Sequence, residues 1–563
     1  MLNLMCYKLI RTIEELKGVQ LDSSTPLFCD TETYTEEGKS DGGLYGAIRL
    51  FQLYQKGWRE AVIIDCRFIP LQEVLDYVRS FHHVYHNSSY DLHTINNSTE
   101  SLWLPDTVDD TIYLSRLLLW KKGSKFGFYD CLQYAGLEDD NIRSIDKKAN
   151  QKADWGGVLT PTMLKYAAYD VLYLSLLWNE VKVALDTESY KLDIFNLKYA
   201  IEYSRRGIPV DRIRVKTKML EATTDLEDIT EKLSPLNFNS PKQCCALLGT
   251  KSSDHDTLVR MKLEGHPEAG LISDARSLVK KVGFLKKYDR DIVKGYYNPS
   301  SAISGRWSCT GGDVFDHSNL QQIPRELLEC LMATAGKTFV YKDYAGLELR
   351  MAVAWIAEPT MERLILEGVD LHTYTASKLF NVRMEDVTYQ QRLVGKICNF
   401  LLIYGGGIAV LQANLRGAGI LYNFKETKAV RTAWMEEYQY FNEWHRMTRR
   451  HMEVYGYLDV ETALGRQVRC YSTNDALNTP VQGSSAEVTK MSLKFLKERY
   501  EDEYLVSTIH DSATLMVGET SGELWGKRLD EAMLKGWDFV VSRTALPDLP
   551  MDSGSDINNT WSF

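Results

Sequence analysis

The sequence predicts a multidomain protein of mixed α/β and α+β class, and three observations support this prediction. The 563 residues exceed what one hydrophobic core usually holds, so two or more domains are expected. In the first third, the strand-like run Pro26–Thr33 is followed by similar runs at Ile48–Leu53 and Ala61–Asp65, which suits a single sheet. Much later, Tyr504–Val517 has two apolar runs around a polar tip, a pattern that indicates a β-hairpin.

Acidic residues mark the first of these strands. Asp30 and Glu32 stand two residues apart, so the alternation of a strand places both side chains on one face. Asp91 follows another apolar run, and Tyr166 and Asp170 share one face of a predicted helix. Four carboxylates and a phenol are what a two-metal phosphodiesterase requires, because the acids hold the ions and the tyrosine orients the attacking water.

This set resembles the three-motif 3′–5′ exonucleases of the DEDD superfamily, in their tyrosine version. Asp30 and Glu32 match the first motif, Asp91 the second, and Tyr166 with Asp170 the third. The resemblance implies an RNase H-like domain over residues 1–187 that takes the 3′ end of single-stranded DNA, with these four carboxylates as metal ligands. A zinc site is the alternative for a nearby cluster of histidines. That cluster comprises His82, His83, His86 and His93.

A stripe of cations and rings is predicted farther along the chain. Arg392, Lys396, Phe400 and Tyr404 recur at four-residue intervals before Gly405, and four residues advance only about 40° around a helix, so the side chains would share one face. Two cations suit a triphosphate, and two rings suit a flat base and its sugar. An ordinary amphipathic helix with a basic end is the alternative for this segment taken alone.

Two aspartates accompany this stripe. Asp343 lies where a β-rich run leads into a helix-prone segment, and Asp511 lies at the tip of the predicted hairpin. Carboxylates in these two positions can meet across a sheet. Such a pair is suited to hold two Mg²⁺ ions for phosphoryl transfer.

Together these elements resemble the polymerase domain of family A DNA polymerases, the group of bacterial DNA polymerase I. The resemblance implies a right-hand fold over residues 188–563, with the thumb at 188–303, the palm at 304–355 and 456–563, and the fingers at 356–455. Six motifs stand in the family's order: SGRWS from Ser304, NLQQIP from Asn319, DYAGLELR from Asp343, the Arg392 helix, NTPVQG from Asn478 and HDS from His510.

The resemblance also implies roles for single residues. Asp343 and Asp511 would bind the metal ions, expected to be Mg²⁺, two in each active site, with Mn²⁺ as a substitute. Arg392, Lys396 and His372 would contact the triphosphate, with Lys396 placed to protonate the departing pyrophosphate. The other implied contacts are Phe400 and Tyr404 with the nucleotide, Glu348 as a steric gate against a ribose 2′-hydroxyl, and Arg306, Asn478, Gln482 and His510 with the primer–template.

The chain departs from the family pattern at three places. Ala345-Gly346 replaces a polar pair, Asn474 replaces an arginine and Ser512 replaces a glutamate, and no metal-binding aspartate is lost. Phe400 stands where some relatives carry tyrosine, which predicts discrimination against dideoxynucleotides.

The amino-acid composition is typical of an ordinary soluble protein. The sequence is 44% hydrophobic and 25% charged, and its ten cysteines form no CxxC pair. No apolar run reaches about 18 residues, so no membrane association is expected. We expect a cytoplasmic monomer, in the host cytoplasm for a phage protein. The net charge of −10 does not exclude DNA binding, because phosphate contacts depend on local basic patches.

The leading hypothesis is a proofreading DNA polymerase that acts on primer–template DNA and dNTPs and replicates a phage or viral genome. The alternatives are a repair or organellar gap-filling polymerase, a 3′–5′ exonuclease whose second half only binds DNA, and a nucleic-acid clamp with both sites inactive. Replisome partners such as a helicase or a single-strand binding protein are compatible with the leading hypothesis, but no motif identifies them.

Overall fold

The computed structural model describes residues 7–34, 46–146, 149–150, 153–310, 318–500 and 504–558. The chain forms two compact units. The first unit comprises Met1–Gly207, Lys294–Gln321 and Leu464–Arg469, and the second comprises Ile208–Val293, Gln322–Ala463 and Cys470–Phe563.

The first unit extends past the limit predicted at residue 187. Helix Glu188–Arg206 belongs to it because Leu197 and Ile201 are buried in the same hydrophobic core as the sheet. Asp193 on this helix also forms a buried ion pair with Arg466, and Arg466 lies in the segment Leu464–Arg469, which is part of the same unit. The predicted thumb, 188–303, and the first predicted palm segment, 304–355, are therefore each divided between the two units.

A six-stranded mixed sheet forms the centre of the first unit. Strand Leu27–Tyr34 lies inside it, antiparallel to Ala47–Gln55 and parallel to His82–Tyr85, and helix Pro161–Val181 packs across one face. The three strands predicted near residues 26, 48 and 61 are confirmed. The strand order is Tyr7–Ile10, Ala61–Asp65, Ala47–Gln55, Leu27–Tyr34, His82–Tyr85, Thr107–Asp110.

Helices surround this sheet. The described helices are Ile13–Lys17, Leu71–Val78, Ser88–Asn97, Thr111–Leu118, Phe128–Ala135, Asp140–Arg143, Pro161–Val181, Lys182–Ala184 and Glu188–Arg206, and short strands follow at Tyr296–Asn298 and Ser308–Thr310.

The second unit is built around a four-stranded antiparallel sheet. Its order is Leu505–Ile509, Ser512–Gly518, Lys337–Tyr344, Ser553–Asn558, so the predicted hairpin is confirmed and pairs with the strand that carries Asp343. Helices Thr473–Arg499 and Gly522–Val541 pack against each other, and the latter packs on the sheet.

Most of the second unit is helical. A small separate core that includes Leu233, Phe238 and Ile272 holds the first four helices together. The helices are Arg212–Leu233, Pro241–Leu248, His255–Leu263, Pro267–Tyr288, Arg325–Leu328, Leu347–Ile356, Pro359–Leu366, Leu371–Phe380, Met384–Asp386, Tyr389–Leu402, Ile408–Gly417, Phe424–Glu437, Gln439–Tyr455, Thr473–Arg499, Glu519–Ser521 and Gly522–Val541. The remaining short elements of this unit are Ile208–Pro209, Ile292–Val293 and Leu458–Glu461, and most residues of the short elements Leu320–Gln322 and Gln467–Cys470 belong to the first unit. Within the described part of the chain, no helix is long and apolar enough to span a membrane.

Candidate active sites

The first candidate site lies on the central sheet of the first unit. Asp30 and Glu32 stand on strand Leu27–Tyr34, and Asp170 stands on helix Pro161–Val181, which packs across that strand. Carboxylate oxygens of these three residues lie within 4.8 Å of one another. Three carboxylates at this separation repel each other when ionised, so the group is suited to a cation.

Asp91 lies outside this trio. It occupies the first turn of helix Ser88–Asn97, where it is only 2% exposed and accepts a hydrogen bond from Thr31 Oγ1 at 2.8 Å. Thr31 stands between Asp30 and Glu32 on the strand, so the same strand that carries two acids also orients a third.

Burial controls the ionisation of these acids. It raises the pKa of Asp30 to about 7. Burial, and then the charges of Asp30, Asp170 and Asp91, raise the pKa of Glu32 well above its ordinary value, and burial with the charge of Asp30 does the same for Asp91. The folded protein therefore binds protons at this site near neutral pH, and a divalent cation would favour the ionised forms.

A cleft of about 380 Å³ opens over the trio. Tyr166 lines it one turn before Asp170, and burial, followed by the charge of Asp170, raises the pKa of the Tyr166 hydroxyl, so that hydroxyl keeps its proton. Tyr129 also lines the cleft and donates a hydrogen bond to Asp170 at 3.4 Å. The sequence prediction missed Tyr129, because its only signal was an aromatic pair at the start of a helix.

The four clustered histidines each have their own partners. Among the described residues, the group of three or more acids, histidines or cysteines close enough to share a metal contains no histidine, so the zinc alternative lacks support. The partners are Asp109 for His82, Val78 and Tyr85 for His83, Thr111 and Phe126 for His86, and Tyr297 for His93.

The second candidate site lies on the sheet of the second unit. The register pairs Asp343 with Ser512, which directly follows Asp511 at the hairpin turn. His510 in that turn has a left-handed backbone with φ of 54°. Asp511 therefore adjoins the residue opposite Asp343, and the two carboxylates are close enough to interact.

These aspartates are strongly perturbed. Burial, and then the charge of Asp511, raise the pKa of Asp343 to about 7, and burial raises the pKa of Asp511. Asp343 Oδ1 is buried and has no hydrogen-bond partner among the described residues. A buried oxygen without a partner beside a second carboxylate is suited to a divalent cation.

Two cationic side chains and a histidine line a neighbouring cleft of about 420 Å³. Arg392, Lys396 and His372 face it together with Ala345 and Gly346, the pair that departs from the family pattern.

Arg392 is held by a carboxylate at the edge of this cleft. Its Nε and Nη2 donate to the carboxylate of Asp370 at 2.8 and 3.0 Å. Although burial opposes the change, the hydrogen bonds from Arg392 and Thr373 lower the pKa of Asp370 to about 2. The guanidinium is thus oriented by Asp370 beside Lys396 and His372.

A glycine allows this arrangement. Helices Leu371–Phe380 and Tyr389–Leu402 cross closely at Gly395, where a Cβ atom would lie 2.4 Å from the carbonyl oxygen of His372. Only glycine leaves room for this contact. The sequence prediction missed Gly395, whose only signal was a glycine inside a predicted helix.

The predicted stripe is wrong for its last member. The helix ends at Leu402, because Gly405 adopts φ of 74° and its amide donates to the carbonyl of Leu402 at 3.0 Å. Tyr404 therefore lies in the turn after the helix, where its hydroxyl donates to Glu348 at 2.5 Å. Phe400 remains on the helix, with its ring 5.6 Å from that of His372.

Three of the four residues predicted to contact DNA lie in the second unit. Asn478 and Gln482 stand on helix Thr473–Arg499, which also carries Asn474, and His510 lies beside Asp511. Asn478 Oδ1 is buried without a hydrogen-bond partner in the described part of the chain. Arg306 instead belongs to segment 294–321 of the first unit, so the structure does not group it with the other three.

Comparisons with known proteins agree with the fold. Residues 212–562 match the model of DNA polymerase family A, a range that includes the second site and leaves out the first. The chain is 27% identical, over an alignment of 597 positions, to DNA polymerase I of Aquifex aeolicus, with 96% of each chain covered. It is 24% identical to the DNA polymerase of Bacillus phage SP01, covering 77% of this chain and 53% of that protein.

The fold is similar to the POL domain of Pol1 from M. smegmatis, solved in complex with DNA primer-template and dNTP, with a TM-score of 0.75, 18% identity and 98% of each chain covered. Because the family match spans well over half of the sequence, the chain belongs to DNA polymerase family A.

Proposed function

We propose that this family A enzyme adds dNTPs to a primer on a DNA template at the second site and removes 3′-terminal nucleotides from single-stranded DNA at the first. The observation that carries the proposal is the interaction of the Asp343 and Asp511 carboxylates, with one buried oxygen of Asp343 lacking a described partner, beside a cleft lined by Arg392, Lys396 and His372. Mg²⁺ is the proposed cofactor, two ions in each site, with Mn²⁺ as a substitute.

In the polymerase reaction, Asp343 and Asp511 would hold the ions beside the primer end. When bound, these ions lower the pKa of the 3′-hydroxyl and stabilise charge on the leaving phosphate oxygens. Arg392 and His372 bind and orient the triphosphate, and Lys396, on the same wall of the cleft, donates a proton to the departing pyrophosphate.

Sugar selection follows from the contact between Tyr404 and Glu348. The hydrogen bond of 2.5 Å fixes the Glu348 carboxylate, and a fixed carboxylate beside the sugar leaves no space for a ribose 2′-hydroxyl. The substrate should therefore be a dNTP. We assign the primer–template contacts to Asn478, Gln482 and His510, with Arg306 as a further candidate from the first unit.

In the exonuclease reaction, Asp30, Glu32 and Asp170 would hold the ions, with Asp91 as the fourth ligand. The protonated Tyr166 hydroxyl orients the attacking water, and Tyr129 holds the Asp170 carboxylate in place. The cleft of about 380 Å³ over these residues suits a terminal nucleotide of a single strand better than a duplex end.

Primer extension tests the proposal. Asp343→Asn should lower extension by several orders of magnitude, because charge stabilisation in the transition state is lost, and should leave 3′-end removal intact. Asp30→Ala combined with Glu32→Ala should have the opposite pattern, since distant sites act independently. Asp548→Asn, at an exposed position, is the charge-matched control.

Each alternative has its own outcome in this assay. Degradation without any extension by the unaltered protein would favour an exonuclease whose second half only binds DNA. DNA binding without either reaction would favour an inactive clamp.

We propose phage or viral genome replication as the biological role, by a monomer in the host cytoplasm. Repair or organellar gap-filling is the second candidate. Product length from a single binding event separates them, because replication requires long products and gap-filling requires only short ones.

A further inference from the structure

Asn399 is the centre of a buried polar network beside the cleft that Arg392, Lys396 and His372 line. Its side chain is fully buried, and its Oδ1 accepts a hydrogen bond from Trp434 Nε1 at 2.9 Å. The Thr375 hydroxyl, which lies 2.7 Å from the Tyr438 hydroxyl, is 3.0 Å from the same oxygen. On its other side, Asn399 Nδ2 lies 3.1 Å from Nδ1 of His372.

This network determines which way the amide of Asn399 points. An indole N–H can only donate, so the atom of Asn399 that faces Trp434 must be the oxygen. The amide nitrogen must then face His372, and an amide nitrogen can only donate. Nδ1 of His372 is therefore the acceptor, and the single proton of the neutral ring lies on Nε2.

We infer that Asn399 is a positioning residue that fixes the tautomer of His372. The neutral ring then presents its Nε2–H as a hydrogen-bond donor to an anion in the cleft. His372 lines that cleft together with Arg392 and Lys396. The inference depends on the proposed function only for the identity of the anion, the triphosphate of a dNTP.

The charges around His372 agree with a neutral ring. Burial lowers the pKa of His372 to about 4, the carboxylate of Asp370 raises it, and the cations Arg392 and Lys396 lower it. The donor is consequently present on both sides of neutral pH. His372 contributes direction to phosphate binding, whereas Arg392 and Lys396 contribute charge.

Asn399→Asp tests the tautomer directly. The substitution keeps an oxygen for Trp434 but replaces the amide donor facing His372 by an acceptor. Nitrogen NMR of protein labelled with ¹⁵N-histidine should show a neutral Nε2–H ring for His372 in the unaltered protein, with the resonance assigned by its loss in His372→Gln. In Asn399→Asp the ring should carry a proton on Nδ1 and titrate at higher pH.

Asn414→Asp is the matched control, because Asn414 is exposed on a neighbouring helix and undergoes the same chemical change. It should leave the His372 resonance unchanged. An Nδ1–H ring in the unaltered protein, or an unaltered ring in Asn399→Asp, would overturn the inference.

Kinetics separate positioning from a merely structural role. The KM for dNTP should stay constant between about pH 6.5 and 8 in the unaltered protein and should rise with pH in Asn399→Asp, because the ring then loses its Nε2 proton while Nδ1 keeps its own. His372→Ala should raise KM about tenfold, the loss expected for one hydrogen bond to a charged group. In that background, Asn399→Asp should add no further change in KM.

Full additivity of the two losses would show that Asn399 acts through the fold rather than through His372, and would overturn the inference. Failure of the unaltered protein to extend a primer would instead overturn the proposed function, and the NMR result would still decide the tautomer.

Discussion

Gly395→Ala should displace the helix that carries Arg392 and Lys396. The added Cβ would lie 2.4 Å from the carbonyl oxygen of His372 and 3.1 Å from the amide nitrogen of Ala376. Favourable contacts between heavy atoms lie near 3.5 Å, so about 1 Å of overlap must be relieved. Both neighbours are backbone atoms, and no change of side-chain rotamer can remove the overlap. The two helices must therefore move apart by about that distance.

The control for this variant is Gly417→Ala, near the end of helix Ile408–Gly417, where no heavy atom lies within 4 Å of the added Cβ. Both substitutions gain helix propensity, so the difference between them isolates the overlap. We expect Gly395→Ala to have a free energy of unfolding lower than that of Gly417→Ala by about 1–3 kcal/mol, the usual cost of overpacking.

Urea denaturation measures this difference in stability, and single-nucleotide incorporation measures its effect on function. A shift of about 1 Å in phosphate-binding groups should lower kcat/KM for dNTP by about 100-fold. Equal stability and equal incorporation by the two variants would refute the reasoning that close helix packing at Gly395 positions Arg392 and Lys396.

Three further predictions concern the two sites. Phe400→Tyr should ease incorporation of dideoxynucleotides, because it places a hydroxyl near the missing 3′ group. Gel competition between dNTP and ddNTP measures the ratio of their incorporation, and an unchanged ratio would count against Phe400 lining the sugar pocket. Tyr166→Phe should slow removal of mismatched 3′ ends less than the double variant Asp30→Ala with Glu32→Ala does, because Tyr166→Phe leaves the metal ligands in place. Degradation of labelled single strands ranks the variants by rate. A loss of rate as severe as that of the double variant would contradict a water-orienting role. In metal-free protein, burial raises the folded-state pKa of Asp30 to about 7, so the stabilisation by proton binding to Asp30 is lost as pH rises from about 4 to 7. The free energy of unfolding of the unaltered protein minus that of Asp30→Asn should therefore fall over this range, and a difference that rises with pH would contradict the assigned sign.

The sequence predicted those parts of the sites that depend on local periodicity. The alternation of a strand sufficed for Asp30 and Glu32, and the hairpin pattern sufficed for Asp511. Gly395 and Asn399 escaped prediction because each owes its role to a contact with another helix, and spacing along one helix does not report which atoms of a neighbour it meets.

Other differences have the same origin. The predicted helical stripe includes Tyr404, but the left-handed conformation of Gly405 ends the helix before that residue, and the Tyr404 hydroxyl contacts Glu348. The first compact unit continues past the predicted limit at residue 187, because helix Glu188–Arg206 packs in the core of that unit, a property that its own sequence pattern does not contain.

The pKa values of two carboxylates of the second site, Asp343 and Asp370, are shifted in opposite directions. Burial and the charge of Asp511 raise the pKa of Asp343 to about 7, although Arg325 opposes the change, whereas the hydrogen bonds from Arg392 and Thr373 outweigh burial and lower the pKa of Asp370 to about 2. The first carboxylate gains from a bound cation. The Asp370 carboxylate already has a cationic partner in Arg392. The Arg392 side chain is 44% exposed and the Asp370 side chain 41% exposed, and ion pairs this exposed stabilise by at most about 1 kcal/mol. The ion pair that holds Arg392 at the cleft is therefore weak. Under the proposed function, a triphosphate, which carries more charge than one carboxylate, would replace Asp370 as the partner of the guanidinium with little loss of free energy.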